Sequence, residues 1–538
     1  MKKIESLFIG VALTSVIVIT GGAFWYKNYK ENRTENYSFP TSNYGAFLAA
    51  QHAVYINDFD RAAKFASKIN DADYAIIQNT RYLTQFLSGQ MPADAKLLQD
   101  EKSAPAQLIY DAYLVNQDKW DELYKRHKKD ESALSAPLRI WSSVATGRSS
   151  DALKFIAKLP TNESWKAFVR GQIYAETDKI SQAAESFADV RTDFMNINDY
   201  LYIMSFYRQN DMGDAADALR ADFTSRPGGM FMLEYDDIPD WARYAGTKNQ
   251  LAYSLVQNVS HTQIMMYSDL AILLLRFAQI TAPDFGVNND GINYYLGQFF
   301  FNNVGDYEKY FSKINPDSPF YLFATLRRAE KGADIKQLQR AVYDNPLFVP
   351  AVNKLIAHEI SNGNQRAALK IVNRALNDDN LTESGRAFFT KSRAHIYYVF
   401  GDYDDAQKDI RNASDVLSVD GEILALQAKI WAAQNREIAD AYDYAMTLVK
   451  QNPTDIMAWD TLGRVVAVRE GVPAALEVLA RVGEVSATCS SLFEQLGDLY
   501  AKSGNVKLAR DSYMRAIDLS DDGLTIVPVL KQKLRKLK

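Results

Sequence analysis

The sequence predicts an all-α protein in which an N-terminal transmembrane helix precedes a solenoid of helix–turn–helix repeats, wound into a right-handed superhelix. Three observations predict this fold. Small and aromatic residues recur near the C-terminus with a fixed period, no β-strand pattern competes with them, and an uncharged apolar run lies close to the N-terminus. The period, about 34 residues, is typical of repeats that each form one helical hairpin. A single hairpin cannot bury its apolar stripe alone, so neighbouring copies must stack.

The apolar run comes first along the chain. Residues 7–25 contain no charged side chain, and a helix of this length can cross the hydrocarbon core of a bilayer. We therefore assign residues 1–6 as a short N-terminal segment, residues 7–26 as a transmembrane signal anchor and residues 27–42 as a tether. A cleaved secretory signal is the alternative, because small residues at 21–23 could form a cleavage site. Both interpretations place the body of the protein in the bacterial periplasm, either anchored to the inner membrane in a single pass or released after signal cleavage.

Residues 43–227 carry a degenerate form of the repeat. The stretch at 57–63 opens a second helix after an alanine-rich first helix at 44–54. Two later copies place small and aromatic residues in corresponding slots. These residues are Gly171, Tyr174, Ala183 and Phe187 in one copy, and Phe206, Ala215 and Leu219 in the other. The signal lapses over 228–247, where glycine, proline and acidic residues cluster, and this composition indicates an irregular joint.

Residues 248–520 carry the more regular form of the repeat, and its spacing is strict from about residue 421 to residue 519. The last copy holds Phe493, Leu496, Gly497, Tyr500, Gly504, Ala509, Tyr513 and Ala516, and the copy before it holds Trp459, Leu462, Gly463, Val466, Gly471, Ala475, Leu479 and Val482. Gly497 and Ala509 are predicted to lie where the two helices of a pair approach most closely, because a larger side chain there would push them apart. The spacing predicts a first helix over 491–502, a turn at Gly504 and a second helix that ends near 519.

This register resembles the tetratricopeptide repeat (TPR), a helical hairpin of about 34 residues. The stretches at 44–53 and 315–320 also resemble segments of the long membrane-targeted TPR proteins of alphaproteobacteria. The resemblance covers nearly the whole chain after the apolar run. It implies a TPR-type α-solenoid, export, and scaffold behaviour through an extended binding surface, and it implies no defined reaction.

Two segments of the C-terminal half have more than one interpretation. Residues 294–323 are rich in aromatic side chains, and the three at 299–301 are consecutive. Because three consecutive helical residues sweep about 200° of the surface, they cannot all face one neighbour. Packing between repeats is one interpretation, and a partly exposed peptide-binding patch is the other. Residues 521–538 predict a basic amphipathic helix, interpreted as a polar cap of the solenoid or, alternatively, as a contact for anionic lipid.

The composition favours binding over catalysis. A formal net charge of −5 argues against a nucleic-acid partner, because phosphate contacts require a basic surface. Cys489 is the only cysteine and the five histidines lack metal-ligand spacing, so we expect no metal site and no cofactor. No catalytic motif stands out, and we expect a protein that is not an enzyme. In the alternative, a site hidden at 228–290 would make the chain an accessory or regulatory subunit of an envelope glycan-processing or peptidase complex.

The leading hypothesis is a non-enzymatic protein-binding scaffold, tethered to a bacterial membrane and acting in envelope assembly. The first helix of each pair is expected to line a concave groove, along which a partner polypeptide of unknown identity would lie. The predicted groove residues are Lys391, His395, Tyr398, Met457, Asp460, Arg464, Glu494, Asp498 and Lys502. Replacing Asp460 or Arg464 is expected to weaken partner binding without unfolding the chain. Self-association through an exposed end of the solenoid is compatible with this hypothesis.

Overall fold

The computed structural model describes residues 42–69, 75–132, 135–235, 246–261, 269–282, 290–303, 305–332, 335–417, 420–485 and 488–537. The N-terminal segment 1–6, the anchor 7–26 and the tether up to residue 41 lie outside these ranges. Within them, no helix combines the length and the apolar character that crossing a membrane requires.

The described residues form 28 α-helices and a few short 3-10 turns, and they contain no β-strand. The first fourteen helices are α1 (Asn43–Tyr55), α2 (Phe59–Ala66), α3 (Ala75–Leu87), α4 (Ala104–Asn116), α5 (Trp120–His127), α6 (Ala136–Ala145), α7 (Ser149–Lys158), α8 (Glu163–Glu176), α9 (Ile180–Ala188), α10 (Ile197–Gln209), α11 (Gly213–Thr224), α12 (Thr247–Ser260), α13 (Asp269–Thr281) and α14 (Asp290–Asn302). The other fourteen are α15 (Glu308–Phe311), α16 (Pro319–Gly332), α17 (Ile335–Asp344), α18 (Val349–Ser361), α19 (Gln365–Leu376), α20 (Glu383–Phe400), α21 (Tyr403–Ser414), α22 (Gly421–Ala433), α23 (Ile438–Gln451), α24 (Ile456–Arg469), α25 (Val472–Val485), α26 (Ser490–Lys502), α27 (Val506–Asp518) and α28 (Val527–Lys536). The all-α prediction is confirmed for the described residues.

The chain divides into two compact units between Ser88 and Gly89. In the first unit, α1 begins after Ser42, whose hydroxyl accepts a hydrogen bond from a backbone amide of the first turn. Helix α1 packs against α2, and the small side chains of Ala50 and Ala62 are fully buried in this unit. The second unit contains helices α4 to α28, and it carries the predicted groove.

One close contact recurs inside helix pairs of the second unit. In three pairs, a glycine on the first helix faces a large side chain on the second helix at the same separation in sequence. The pairs are Gly171 with Phe187, Gly463 with Leu479 and Gly497 with Tyr513. A Cβ atom placed on any of these glycines would lie 2.4 to 2.5 Å from the facing side chain, far inside contact distance. One helical turn before each large side chain is a fully buried alanine, at Ala183, Ala475 and Ala509, so the structure has the close helix approach that the repeat spacing predicts.

The turns inside the pairs explain why the repeat is hard to read toward the N-terminus. Many of the described turns contain a residue in a left-handed backbone conformation. In most later pairs it is a glycine, at Gly363, Gly401, Gly471 and Gly504, although the α22–α23 turn uses Asn435 and Glu437. Among the earlier pairs that the structure describes, only the α6–α7 turn uses a glycine, Gly147, and the others use Asn57, Asp118, Asp178 or Asp211. Asparagine and aspartate are the non-glycine residues that adopt this conformation most readily. The same turn is therefore built from residues that are much less distinctive in a sequence.

One pair in the N-terminal half is absent from the sequence prediction, and another is placed one residue off. Helices α4 and α5 form a pair with its turn at Asp118, and Asp111 stands where other pairs have glycine. In the pair α10–α11, the spacing predicts that Ala215 is the packed alanine. The structure instead buries Ala216 and leaves Ala215 half-buried, because the turn at Asp211 sets the start of the second helix.

The aromatic segment at 294–323 belongs to the core. Phe299 and Phe300 are buried, and Phe311 has no exposed surface. Phe301 is half-buried, and its ring centroid lies 5.4 Å from that of Tyr307. The structure therefore supports the interpretation of packing between helices over that of an exposed patch.

The predicted joint at 228–247 begins with a buried turn. Met230–Glu234 forms a 3-10 helix, and the Phe231 ring lies 5.6 Å from the ring of Phe323 and 5.4 Å from that of Phe348. These contacts attach the start of the joint to helix α16 and to the start of α18. Residues 236–245 lie outside the described ranges.

Candidate functional site

The nine predicted groove residues lie on three helices that belong to one wall. Helices α20, α22, α24 and α26 are the first helices of four consecutive pairs, and each packs beside the next. We call this surface the inner wall. Lys391, His395 and Tyr398 lie on α20, Met457, Asp460 and Arg464 on α24, and Glu494, Asp498 and Lys502 on α26. Their spacings of three or four residues bring the members of each set to one face of a helix.

Lys391 ties two helices of the inner wall together. Its Nζ atom lies 2.7 Å from a carboxylate oxygen of Asp420 and 2.6 Å from one of Glu422. Asp420 also caps the N-terminus of α22 by accepting hydrogen bonds from backbone amides. Burial alone would lower the pKa of Lys391, but the hydrogen bonds to both carboxylates outweigh burial and raise the pKa. The side chain is therefore a fixed cation at the α20–α22 contact.

Asp460 is at the centre of a buried ion cluster on α24. It has no exposed surface, and one carboxylate oxygen lies 2.8 Å from Nζ of Lys429 and accepts a 2.9 Å hydrogen bond from the Ser491 hydroxyl. The Arg464 guanidinium lies 3.4 Å from the other oxygen. Burial would raise the pKa of Asp460, but the Arg464 and Lys429 cations outweigh burial and lower the pKa to about 2.

This burial corrects one expectation. The spacing predicts that Asp460 can be replaced without harm to the fold, whereas the structure makes its carboxylate the partner of a buried lysine. Lys429 is a residue that sequence reasoning missed. It stands at the glycine position of its pair, and the corresponding position on the second helix holds the small Ala445. A lysine at the glycine position, combined with an alanine opposite, is the signal that could have identified it.

Two other predicted groove residues, Met457 and Tyr398, pack against neighbouring side chains. The Sγ atom of Cys489 lies 3.6 Å from Sδ of Met457. Burial raises the pKa of the Cys489 thiol to about 11, so the group is a thiol at neutral pH and not a nucleophilic thiolate. The Tyr398 ring lies 6.0 Å from that of Tyr403 and is half-buried.

The acidic residues of α26 bind the C-terminal helix of the same chain. Nζ of Lys533, on α28, lies 2.8 Å from Glu494 and 2.7 Å from Asp498. Asp498 also accepts a 2.7 Å hydrogen bond from the Tyr513 hydroxyl. Lys502, one turn further along α26, is exposed. The predicted acidic end of the groove is therefore in contact with α28.

We call residues 520–537 the C-terminal segment. The part of it that precedes α28 crosses the inner wall. Asp522 accepts hydrogen bonds from the backbone amide of Ser490, at 2.8 Å, and from its hydroxyl, at 2.6 Å. The adjacent Gly523 packs directly on Ala357 of α18, and its carbonyl accepts a 3.3 Å hydrogen bond from His395. Two neighbouring residues thus contact both α18 and α26. The first helices must curve around the C-terminal segment for this to be possible.

The environment of His395 fits this contact. Burial lowers its pKa, so the imidazole is neutral at neutral pH and donates one N–H to the Gly523 carbonyl. Across the described residues, no group of three or more histidine, cysteine, aspartate or glutamate side chains is arranged to hold a metal ion. The chemistry on this surface is that of ion pairs and hydrogen bonds.

No protein-family model matches the sequence, and no curated protein matches it. Among solved structures, the chain is similar to a tetratricopeptide repeat protein from Parabacteroides merdae, with 12% identity over 54% of this chain and 98% of that one and a TM-score of 0.32. It is similar to the APC/C hetero-tetramer Cut9–Hcn1, with 11% identity, coverage of 93% and 96%, and a TM-score of 0.35. It is also similar to yeast Tom70, with 12% identity, coverage of 91% and 95%, and a TM-score of 0.25.

Because these TM-scores lie below 0.5, we assign the class of the protein from the packing of its own helices. In the pairs α8–α9, α24–α25 and α26–α27, a glycine on the first helix faces a large side chain on the second, and a buried alanine lies one turn before that side chain. These features define an all-α protein built from TPR-type hairpins.

Proposed function

We propose that this chain is a non-enzymatic scaffold that binds partner polypeptides along its inner wall. The observation that carries the proposal is the position of the predicted groove residues, which come from three repeat pairs and lie on first helices of one curved wall. Their charged groups are paired within the chain at Lys391 and Glu494, whereas Lys502 is exposed. A wall built from several first helices can contact an extended or helical segment at several points.

The proposal includes attachment to a bacterial inner membrane, with the body in the periplasm and a role in envelope assembly. Its support is the uncharged run at 7–25 in the sequence, which has the length of a membrane-crossing helix. If the run is instead a cleaved signal, the body is released into the periplasm. The inner wall serves the same purpose in either case.

Affinity capture tests the binding role. We expect the full-length chain, purified from detergent-solubilised membranes, to retain one or more polypeptides that Lys391→Met reduces at least fivefold. This substitution keeps the length of the side chain but removes the cation at the contact between α20 and α22. The matched control is Lys408→Met on α21, the second helix of the same pair, where the lysine is exposed. If both variants capture the same polypeptides in the same amounts as the wild type, the inner wall is not the binding surface.

Protease accessibility tests the location. In spheroplasts, protease added from outside is expected to degrade the body of the protein while a cytoplasmic marker stays intact. A body that survives until the inner membrane is lysed would refute the periplasmic location and leave the capture result unaffected.

A further inference from the structure

The C-terminal segment covers part of the surface that the proposed function assigns to a partner. Its last helix, α28, packs on α27 and places Lys533 on Glu494 and Asp498 of the inner wall. Leu530, one turn earlier on α28, is fully buried. Leu534 and Leu537 are half-buried against the same core cluster. The contact thus combines one fully buried leucine, two half-buried leucines and one cation that bridges two carboxylates.

We propose that α28 is a displaceable occupant of the inner wall, and that the surface beneath it binds a partner's basic amphipathic helix with a leucine three residues before a lysine. The inference rests on the proposed function, because it names the kind of segment that the same wall receives. The charge of the site supports this choice of partner: Glu494 and Asp498 lie one turn apart on α26 and accept the same ammonium group. A helix without a cation at this position could not form the ion pairs that Lys533 makes with both carboxylates.

The geometry also indicates why α28 can be displaced. Its only fully buried side chain is Leu530, and Lys531, Arg535 and Lys536 are exposed. The ion pairs of Lys533 are only partly buried, so water can reach both carboxylates when α28 moves away. The short connection to α27 keeps α28 beside the wall at an effective concentration on the order of millimolar. A partner helix must compete with this attached helix, so its apparent affinity is its intrinsic affinity multiplied by the fraction of chains that are open.

Gly523 holds the C-terminal segment against α18, which lies next to the inner wall in the chain. It has a left-handed backbone, with φ of 73°, and a Cβ atom at this position would lie 2.7 Å from Cα of Ala357. Only glycine therefore permits the contact between the C-terminal segment and α18. Gly504 has a similar backbone, with φ of 82°, but a Cβ atom there would meet nothing within 4 Å. Comparing alanine substitutions at the two glycines therefore distinguishes the effect of backbone strain from the effect of losing the contact with α18.

The test uses a fluorescent peptide with the sequence of residues 527–538, titrated with the full-length chain in detergent. We expect Lys533→Ala and Gly523→Ala each to bind this peptide at least tenfold more tightly than the wild type does. The matched controls, Lys531→Ala on the exposed side of α28 and Gly504→Ala, should bind it as the wild type does. Adding Glu494→Gln and Asp498→Asn to the Lys533→Ala chain should abolish the gain, as should glutamate in place of the lysine of the peptide that corresponds to Lys533.

Several outcomes would overturn the proposal. Equal affinity of wild-type and Lys533→Ala chains would show that α28 does not obstruct the surface, and a gain that survives loss of both carboxylates would place binding elsewhere. Circular dichroism of each variant checks that the helical content is intact, and Gly523→Ala gives an independent opening if Lys533→Ala fails to fold. If phosphatidylserine vesicles, and not the peptide, bind the Lys533→Ala chain more tightly than the wild type, α28 is a lipid contact and the proposal is wrong. The titration needs no cellular partner, so its failure is distinguishable from failure of the capture experiment.

Discussion

Replacing Gly463 by alanine is expected to lower the free energy of unfolding by about 1–3 kcal/mol, the usual cost of overpacking a core. The added methyl group would lie 2.4 Å from Leu479, and Leu479 is fully buried, so the leucine cannot move into solvent to make room. The two helices of the α24–α25 pair must separate or the leucine must leave its favoured rotamer. Chemical denaturation, monitored by far-ultraviolet circular dichroism, measures the change in the free energy of unfolding.

The chain offers both a rescue and a control for this variant. In the pair α20–α21, the corresponding positions are Ala394 and Ile410, which are both buried in one cluster. Combining Gly463→Ala with Leu479→Ile copies this arrangement and should recover part of the lost stability. Gly213→Ala is the control, because a Cβ atom at Gly213 would meet nothing within 4 Å. If Gly213→Ala costs as much as Gly463→Ala, close helix packing is not the reason for the glycine.

The packing of the C-terminal pairs could be predicted because it depends on contacts within each repeat unit. The predicted first helix at 491–502 and the turn at Gly504 differ little from the observed Ser490–Lys502 and its turn. Glycine and alanine mark the close approach directly, since larger residues do not fit there. Toward the N-terminus, Asp118, Asp178 and Asp211 adopt the turn conformation. Aspartate is also common at helix N-caps and on exposed surfaces, so its presence alone does not mark this turn.

The candidate site could be predicted only in part, because the register places residues on a helix face but does not say what covers that face. It brings Glu494 and Asp498 to one side of α26, as the structure does. The contact with Lys533 depends on how the following helix packs, and the contact between Gly523 and Ala357 depends on the curvature of the wall accumulated over several repeats. Lys429 was missed for a different reason. A lysine is ordinarily exposed, and only a carboxylate from the next first helix permits its burial.

Replacing Asp460 by alanine is expected to destabilise the chain by about 3–5 kcal/mol, the cost of leaving one member of a buried ion pair without its partner. Lys429 is buried and lies 2.8 Å from this carboxylate, so the variant would leave its ammonium group without its closest anion. Asp443→Ala is the matched control, since Asp443 is exposed on α23 and its loss should change stability by less than about 0.5 kcal/mol. Denaturant unfolding of the two variants and the wild type gives the comparison.

The pH dependence gives an independent check on the same residue. Because the folded-state pKa of Asp460 is lowered to about 2, its ionised form stabilises the folded chain above the unfolded-state pKa of about 4, and this contribution is lost as the pH falls from about 4 to about 2. The stability difference between the wild type and Asp460→Asn should therefore be largest at neutral pH and shrink through that window. A difference that stays constant down to about pH 2 would mean that the charge of Asp460 does not stabilise the fold.

A second substitution determines whether the unpaired lysine causes the loss. Lys429→Met in the Asp460→Ala chain replaces the buried cation by an apolar side chain of similar length, so most of the lost stability should return, as it often does when a whole buried ion pair is replaced. The Arg464 guanidinium keeps its 2.7 Å hydrogen bond to the Ser491 hydroxyl in both variants, so it is not left without an acceptor. If Lys429→Met instead adds to the damage, the Asp460 carboxylate stabilises the fold through Arg464 and Ser491, and the inner wall is held together by its link to α26 and not by its link to α22.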